Sequence, residues 1–249
     1  MPRYALLIAY HGGGFAGWWR QPGQRTVAGE LDAALRRLGE QGRPVGASRT
    51  DAGVHAHGQL AHLDLARDWE PARLRQALNR QLPPDIAVRA AARVADDWHA
   101  VHGVRRKTYR YVIDGGAERD PFHADRAWWV PGLQPALLQA AAALVPGRRD
   151  WRAFVRRGER RAASVCTVYR CCWRQRGRWW IASLCADAFL YRLARALVGG
   201  MVQVGRGAIA LDEWRAALAG ARVGAARQQA PAQGLHLWRI VHRDPPAWS

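Results

Sequence analysis

The amino-acid sequence predicts an α+β fold, with helices packed over a mainly antiparallel sheet. Segments in which apolar and polar residues alternate are interspersed with segments whose apolar residues recur every three or four positions. Residues 164–174 and 178–185 read as two strands paired around Gly177, as in a β-hairpin. Hydrophobic residues make up 49% of the 249-residue chain, which supports a packed core and excludes a wholly disordered protein.

The first part of the chain combines well-marked strand and helix signals. Thr26 is suited to cap a helix whose apolar residues continue to Leu38. Pro71 suits the first turn of a second helix, which ends before the Pro83–Pro84 pair. Strands are predicted at residues 3–10, 58–64, 86–94 and 107–113.

The second part of the chain repeats this style. Helices are predicted at residues 135–145, 188–204 and 211–219, and a last strand at residues 234–242. No repeat or low-complexity linker separates the two parts. A soft boundary near Gly103 divides the chain into an N-terminal half, residues 1–103, and a C-terminal half, residues 104–249.

The charge of the chain points to a polyanionic partner. The sequence has 38 Lys and Arg residues against 20 Asp and Glu residues, which gives a formal charge of +18. Lys107 is the only lysine, and the bias toward arginine is typical of a GC-rich genome. That bias replaces lysine by arginine but does not produce an excess of positive charge. The excess predicts attraction to nucleic acid, with a generally basic proteome as the alternative.

Several other classes of protein do not fit the sequence. No run of 18 apolar residues is present, so no transmembrane helix is expected. The first residues lack the layout of a signal peptide, and the four cysteines lack the spacing of metal ligands. We therefore expect free thiols in the reducing cytoplasm.

Two short patterns resemble ligand sites without their required context. Gly12, Gly14 and Gly17 match the spacing of a dinucleotide-binding loop, but no helix opens directly after them, so a glycine-rich structural loop is favoured. His55 and His57 could hold a metal, but no suitably spaced Cys, Asp or Glu completes a ligand set. Neither a nucleotide cofactor nor a metal is expected.

The segment Arg49-Thr-Asp-Ala-Gly-Val-His-Ala56 carries the most information about function. Taken alone, Asp51 would be interpreted as a carboxylate that shapes a turn. The segment resembles the catalytic motif of the tRNA pseudouridine synthase A family, and other segments resemble further motifs of that family in the same order. These segments are Tyr10–Trp18, Arg20–Pro22, Gln24–Val27, Glu30–Leu31, Lys107–Tyr111, Phe189–Arg195, Val198–Gly199, Val204–Gly207 and Ala230–Leu235.

The resemblance implies both a fold and an activity. The fold would be that of the pseudouridine synthases, with two ferredoxin-like, RRM-like halves that share a mostly antiparallel central sheet. The activity would be the isomerisation of uridine to pseudouridine at positions 38, 39 and 40 of the tRNA anticodon stem-loop, without a cofactor. Family members are homodimers, so a homodimer is expected. Two alternatives stay open: a synthase with a different RNA target, and a non-catalytic RNA-binding homologue.

The resemblance also assigns roles to two charged residues. Asp51 holds the position of the catalytic carboxylate of the family. Arg195 would form an ion pair with it, because a buried carboxylate without a partner takes up a proton. Arg192 lies three residues earlier on the predicted helix and would share a face with Arg195. For Arg192, exposure to solvent or binding of phosphate is favoured.

Four further residues are expected to contact RNA or to support the site. Tyr109 and Tyr111 alternate with an arginine on a strand, so both face one side, and the resemblance assigns Tyr109 to stacking on the target base and Tyr111 to packing. Arg49 would help to extrude the target nucleotide and occupy the space that it leaves. His55 would support the loop or contact RNA.

Three departures from the family pattern bear on the site. His11 and Gly13 stand where the family usually has Asp and Thr. Ser48 stands where the family usually has a glycine, so the backbone there must be either regular or strained. Asp187 precedes the Phe189 motif and would add negative charge near Asp51 if it pointed inward.

Overall fold

The computed structural model of the protein describes residues 1–154, 164–220 and 229–249. These residues pack into two compact units. Unit 1 consists of Met1–Arg105 together with Leu237–Ser249, and unit 2 consists of Arg106–His236. The sequence places a boundary near Gly103 and assigns all later residues to a second half, whereas the last thirteen residues pack within unit 1.

Unit 1 is an antiparallel sheet with two helices. Strand β1 is the central strand and pairs with β3 on one side and β4 on the other, while the short strand β2 and the C-terminal strand β10 both lie beside β3. The elements are β1 (Arg3–Tyr10), α1 (Val27–Arg37), β2 (Val45–Gly46), β3 (His55–Asp64), α2 (Pro71–Gln81), β4 (Ile86–Val94) and β10 (Leu235–His242), of which residues from Leu237 onward belong to this unit.

Local signals explain where the helices of unit 1 begin. The Thr26 hydroxyl accepts a hydrogen bond from the Gly29 N–H at 3.2 Å and caps α1. The carboxylate of Glu70 accepts the N–H groups of Ala72 and Arg73 and caps α2, with Pro71 in the first turn. The helices bury their leucine stripes in the core of the unit.

Unit 2 contains four antiparallel strands in the order β5-β9-β8-β7. The two-residue strand β6 runs parallel to β5. Helices α3 and α4 contact each other, and the Met201 sulfur of α4 lies 3.6 Å from the Cys171 sulfur of β8. The elements are β5 (Val104–Asp114, in this unit from Arg106), β6 (Trp128–Trp129), α3 (Pro135–Ala143), β7 (Gly147–Asp150), β8 (Val165–Arg176), β9 (Trp179–Ala186), α4 (Leu193–Gly205) and α5 (Leu211–Leu218).

The predicted class, α+β with mostly antiparallel strands, is confirmed over the described residues. One helix differs from its prediction, because α4 begins at Leu193 and not at Ala188. Arg192 has a left-handed backbone with φ +59°, which cannot continue an α-helix. The prediction that Arg192 and Arg195 share a face of one helix is therefore wrong. Within the described ranges, no helix combines the length and apolar character needed to cross a membrane.

Candidate active site

Asp51 lies in a tight turn between β2 and β3 that is fixed by backbone hydrogen bonds. The Thr50 carbonyl accepts the Trp18 N–H at 3.1 Å, and the Gly53 N–H donates to the Phe15 carbonyl at 3.2 Å. Within the turn, the Val54 N–H donates to the Asp51 carbonyl at 3.2 Å. Residue Asp51 is partly exposed, and these bonds fix the backbone that carries its side chain.

Two glycines allow the chain before α1 to approach this turn closely. Gly17 has φ +104°, and a β-carbon on it would lie 2.6 Å from the Thr50 carbonyl oxygen. A β-carbon on Gly12 would lie 2.1 Å from the Val54 carbonyl oxygen. The glycine run is thus a structural loop, as the sequence favours, and the next α-helix begins only at Val27.

A buried network of polar groups stabilises the Asp51 turn. The Tyr10 hydroxyl and the Thr50 hydroxyl lie 2.7 Å apart and share a hydrogen bond. The Gln59 side chain donates to the Ser48 carbonyl at 2.6 Å and accepts from the Ser48 N–H at 3.2 Å. Ser48 has no positive φ, since Arg192 is the only non-glycine residue with one in the described part of the chain. The backbone at Ser48 is therefore regular, and the substitution of glycine by serine is accommodated.

His55 is a support of the loop. It is 3% exposed, and its Nδ1 accepts the Gly12 N–H at 3.0 Å. The His11 ring meets it edge-on, with ring centroids 4.5 Å apart. These contacts join the glycine loop to the start of β3. Of the two roles that the sequence leaves open for His55, they favour support of the loop.

Arg49 projects from the same loop toward solvent. Its guanidinium carbon lies 4.8 Å from the centre of the Trp19 ring, and the Trp19 side chain is 46% exposed. No local signal in the sequence marks Trp19, because its contact with Arg49 joins residues thirty positions apart.

In unit 2, the two tyrosines of β5 both lie on the buried side of the sheet, as predicted. Tyr109 is 6% exposed, and its ring meets Phe189 edge-on at 5.0 Å. Tyr111 is fully buried, and its hydroxyl donates to the Pro231 carbonyl at 2.8 Å. Burial raises the pKa of Tyr111 well above its usual value, and the nearby positive charge of Arg195 opposes that rise. Tyr111 is a packing residue, as expected.

Arg195 lies in the first turn of α4 and is tied to the chain near residue 230. Its Nε donates to the Ala230 carbonyl at 2.7 Å, and the Ala230 N–H donates to the Arg195 carbonyl at 3.0 Å. This reciprocal pair fixes the plane of the guanidinium. It also explains why the segment that begins at Ala230 accompanies the α4 motif in the sequence.

Asp187 is hydrogen-bonded to the backbone of unit 2. Its carboxylate accepts the Thr167 N–H at 2.9 Å and the Ala188 N–H at 2.7 Å, both within unit 2. These bonds hold the turn that leads from β9 toward α4. The carboxylate therefore satisfies two backbone donors of unit 2.

The predicted site residues fall into two groups. Asp51, Arg49 and His55 share one loop of unit 1. Tyr109 lies on β5 and Arg195 at the start of α4, both in unit 2, where Tyr111 and residues 230–234 connect them. Each group is internally ordered by hydrogen bonds and close packing.

Two arginines near the glycine loop have carboxylate partners. Arg20 pairs with Asp32, and Arg25 pairs with both Glu30 and Asp85. The Asp85 carboxylate raises the pKa of Arg25 above its usual value, so this charge is firmly retained. These ion pairs stabilise the chain around the glycine loop. The excess positive charge of the protein is therefore carried by other arginines.

Comparison with known proteins extends the likeness over most of the chain. The family described as tRNA pseudouridine synthase matches residues 7–102 and 140–242. A protein named tRNA pseudouridine synthase A from Paracoccus denitrificans is 41% identical over 99% of this chain and 98% of its own length.

Proteins of the same name from two other organisms are similarly alike. The protein from Geobacillus kaustophilus is 36% identical over 97% of this chain and 95% of its own length. The protein from Gloeobacter violaceus is 38% identical over 98% of this chain and 81% of its own length. Because the match includes the Asp51 loop and both units at this level of identity, the chain belongs to the tRNA pseudouridine synthases, a family of isomerases that convert uridine to pseudouridine.

Proposed function

We propose that this protein converts uridine to pseudouridine at positions 38, 39 and 40 of the tRNA anticodon stem-loop, with Asp51 as the catalytic group. The observation that carries the proposal is the Asp51 turn. The backbone that carries this partly exposed residue is fixed by backbone bonds, by glycines that admit no side chain and by a buried polar network. Such fixed placement is what catalysis by a single carboxylate requires.

The chemistry of the reaction fits a single ionised carboxylate. The N1–C1′ glycosidic bond breaks, the base turns, and a C5–C1′ bond forms. The proton on C5 is lost and N1 gains a proton, so the product is an isomer and no electrons are exchanged with a redox partner. An ionised aspartate can attack C1′, add to the base or take the C2′ proton, and each of these roles suits Asp51.

The other site residues are proposed to bind the substrate. Tyr109 is proposed to replace the stacking lost by an extruded base, although only 6% of the residue is exposed before RNA binds. The Ala230 carbonyl orients the Arg195 guanidinium. Arg195 is proposed to form an ion pair with the catalytic carboxylate. Arg49 is exposed beside Asp51 and is proposed to enter the space that the target nucleotide leaves. His55 is proposed to support the loop that carries Asp51.

Two ferredoxin-like halves are part of the proposal. In unit 1, the order β1-α1-β2-β3-α2-β4 along the chain combines with the strand order β4-β1-β3, with β2 beside β3. That is the arrangement of a ferredoxin-like fold. In unit 2, β5, α3, β8, β9 and α4 follow one another with the strand order β5-β9-β8, as in the first five elements of the same fold. We also propose that the enzyme is a cytoplasmic homodimer, as its resemblance to the family implies.

The decisive experiment is to map pseudouridine in tRNA after incubation with the purified protein. Pseudouridine at positions 38–40, absent after incubation with Asp51→Asn, is the expected result. Pseudouridine at other positions would support a synthase with a different RNA target. Unmodified tRNA that nevertheless binds the protein would support a non-catalytic RNA-binding homologue.

A further inference from the structure

We propose that Trp19 is a positioning residue for Arg49, and that its indole holds the guanidinium ready to enter the space left by the extruded nucleotide. The inference rests on the proposed function, because it assumes that Arg49 acts on the RNA. It adds a residue outside the motif that contains Asp51, and it explains why a large aromatic side chain is exposed beside that motif.

The contact between the two side chains has the geometry of a cation–π pair. The Arg49 guanidinium carbon lies 4.8 Å from the centre of the Trp19 ring, and the ring is 46% exposed. A planar guanidinium stacks well on an indole, which is the best aromatic partner for a cation. By contrast, the neighbouring Trp18 is fully buried, so only one of the two adjacent tryptophans contributes to the core.

The backbone around Trp19 is fixed to the catalytic loop and to α1. The Trp18 N–H donates to the Thr50 carbonyl at 3.1 Å, and the Trp18 carbonyl accepts the Ala28 N–H at 3.1 Å. On the other side, the Arg20 side chain pairs with Asp32 of α1. Since Thr50 directly precedes Asp51, the indole and the proposed catalytic turn belong to one ordered assembly.

The strength of the contact suits a positioning role. An exposed cation–π pair changes the population of a side-chain conformation by a factor of about two to five. That is enough to confine an otherwise flexible arginine near the Asp51 turn. It is also weak enough for the guanidinium to leave the ring when RNA offers a base or a phosphate.

The test is the rate at which the target nucleotide is extruded. An anticodon stem-loop with 2-aminopurine beside the target uridine reports loss of stacking as a rise in fluorescence. Mixing is done with proteins that carry Asp51→Asn, so that isomerisation does not contribute. Trp19→Ala should slow the fluorescence phase about two- to fivefold, whereas Trp19→Phe should retain at least half of the rate. Trp248→Ala removes a tryptophan of similar exposure, 40%, and should change nothing.

A double-mutant cycle separates positioning from a general structural effect. In proteins that carry Arg49→Ala, adding Trp19→Ala should cause no further slowing, because the indole then has no guanidinium to hold. Equal slowing in both backgrounds would overturn the proposal, as would an unchanged rate in Trp19→Ala alone. A failed enzyme assignment would be recognised separately, since the wild-type protein would then form no pseudouridine in tRNA.

Discussion

Replacing Gly17 by alanine should remove most of the isomerase activity while the protein stays folded. A β-carbon at this position would lie 2.6 Å from the Thr50 carbonyl oxygen and 3.2 Å from the Asp51 carbonyl carbon. Contacts of β-carbons shorter than 3.0 Å are essentially absent from proteins, so the loop must shift by at least about 0.4 Å. The shift falls on the turn that carries Asp51.

The expected size of the effect follows from this geometry. A misplacement of about 1 Å can cost about a hundredfold in rate, so a shift of 0.4 Å or more should lower kcat by about ten- to a hundredfold. Gly17 also has φ +104°, where an alanine is strained, and the left-handed conformation costs about 1–2 kcal/mol. Relief of the close contact costs about 1–3 kcal/mol more. The sum, about 2–5 kcal/mol, does not exceed the usual stability of a domain, about 5–15 kcal/mol, so the variant should fold.

The assay is the release of tritium from tRNA labelled at C5 of uridine, because the C5 hydrogen leaves during isomerisation. Gly23→Ala is the matched control. Its φ of +70° also disfavours alanine, but nothing lies within 4 Å of the added β-carbon. It should lose only the stability that backbone strain costs, seen in thermal unfolding, and keep kcat within about twofold. Full activity in Gly17→Ala, or an equal loss in Gly23→Ala, would refute the packing argument.

Three further predictions concern charge. Asp51→Asn should lower turnover by more than about a thousandfold and leave the Kd for tRNA within about twofold; turnover of a few per cent would contradict the catalytic role. Burial, with the charges of His99 and Arg3, lowers the pKa of His62 from 6.5 to about 4, so the unfolded chain binds the proton first as the pH falls. The contribution of neutral His62 to the free energy of unfolding is therefore complete above pH 6.5. It falls by about 3 kcal/mol as the pH is lowered from 6.5 to 4. His62→Asn keeps an acceptor for the Ala100 N–H and should reduce the loss of unfolding free energy at low pH, measured by urea unfolding. Parallel pH profiles of the variant and the wild type would contradict this role of His62. Finally, the affinity for tRNA should fall by a factor of about 10³ or more between 50 and 200 mM salt, and a flat series would exclude phosphate contacts as its source.

The sequence predicts those elements whose determinants are local. Strand β1 has the predicted bounds, and α1 begins directly after its Thr26 cap. Strands β2, β6 and β7 are not predicted, because two to four residues form a strand only through pairing with a longer neighbour. The start of α4 is misplaced for a related reason. The left-handed conformation of Arg192 is unusual for a residue with a β-carbon, and no sequence pattern announces it.

The site divides in the same way. Asp51 could be found in the sequence because its motif is contiguous and resembles that of a known family. The supports of the Asp51 turn could not be found, because they come from residues distant along the chain. The Tyr10 and Thr50 hydroxyls that meet at 2.7 Å are forty residues apart, and the indole of Trp19 reaches Arg49 across thirty. Tertiary contacts of this kind become visible only when the strands are in register.

The contacts of the arginines show how the residues behind the net charge of +18 are arranged. The chain has 38 basic and 20 acidic residues, so there are too few carboxylates to neutralise every arginine. Some carboxylates share one arginine, as Glu30 and Asp85 do at Arg25. Several other arginines lie over aromatic rings, among them Arg49 on Trp19 and Arg106 on Tyr169. Stacking orders a guanidinium without cancelling its charge, so the electrostatic attraction for tRNA phosphates is kept while the side chain loses less entropy on binding. A planar guanidinium stacks on an aromatic ring in a way that a lysine ammonium cannot, so an arginine-rich and tryptophan-rich surface orders its charges differently from a lysine-rich surface of equal charge.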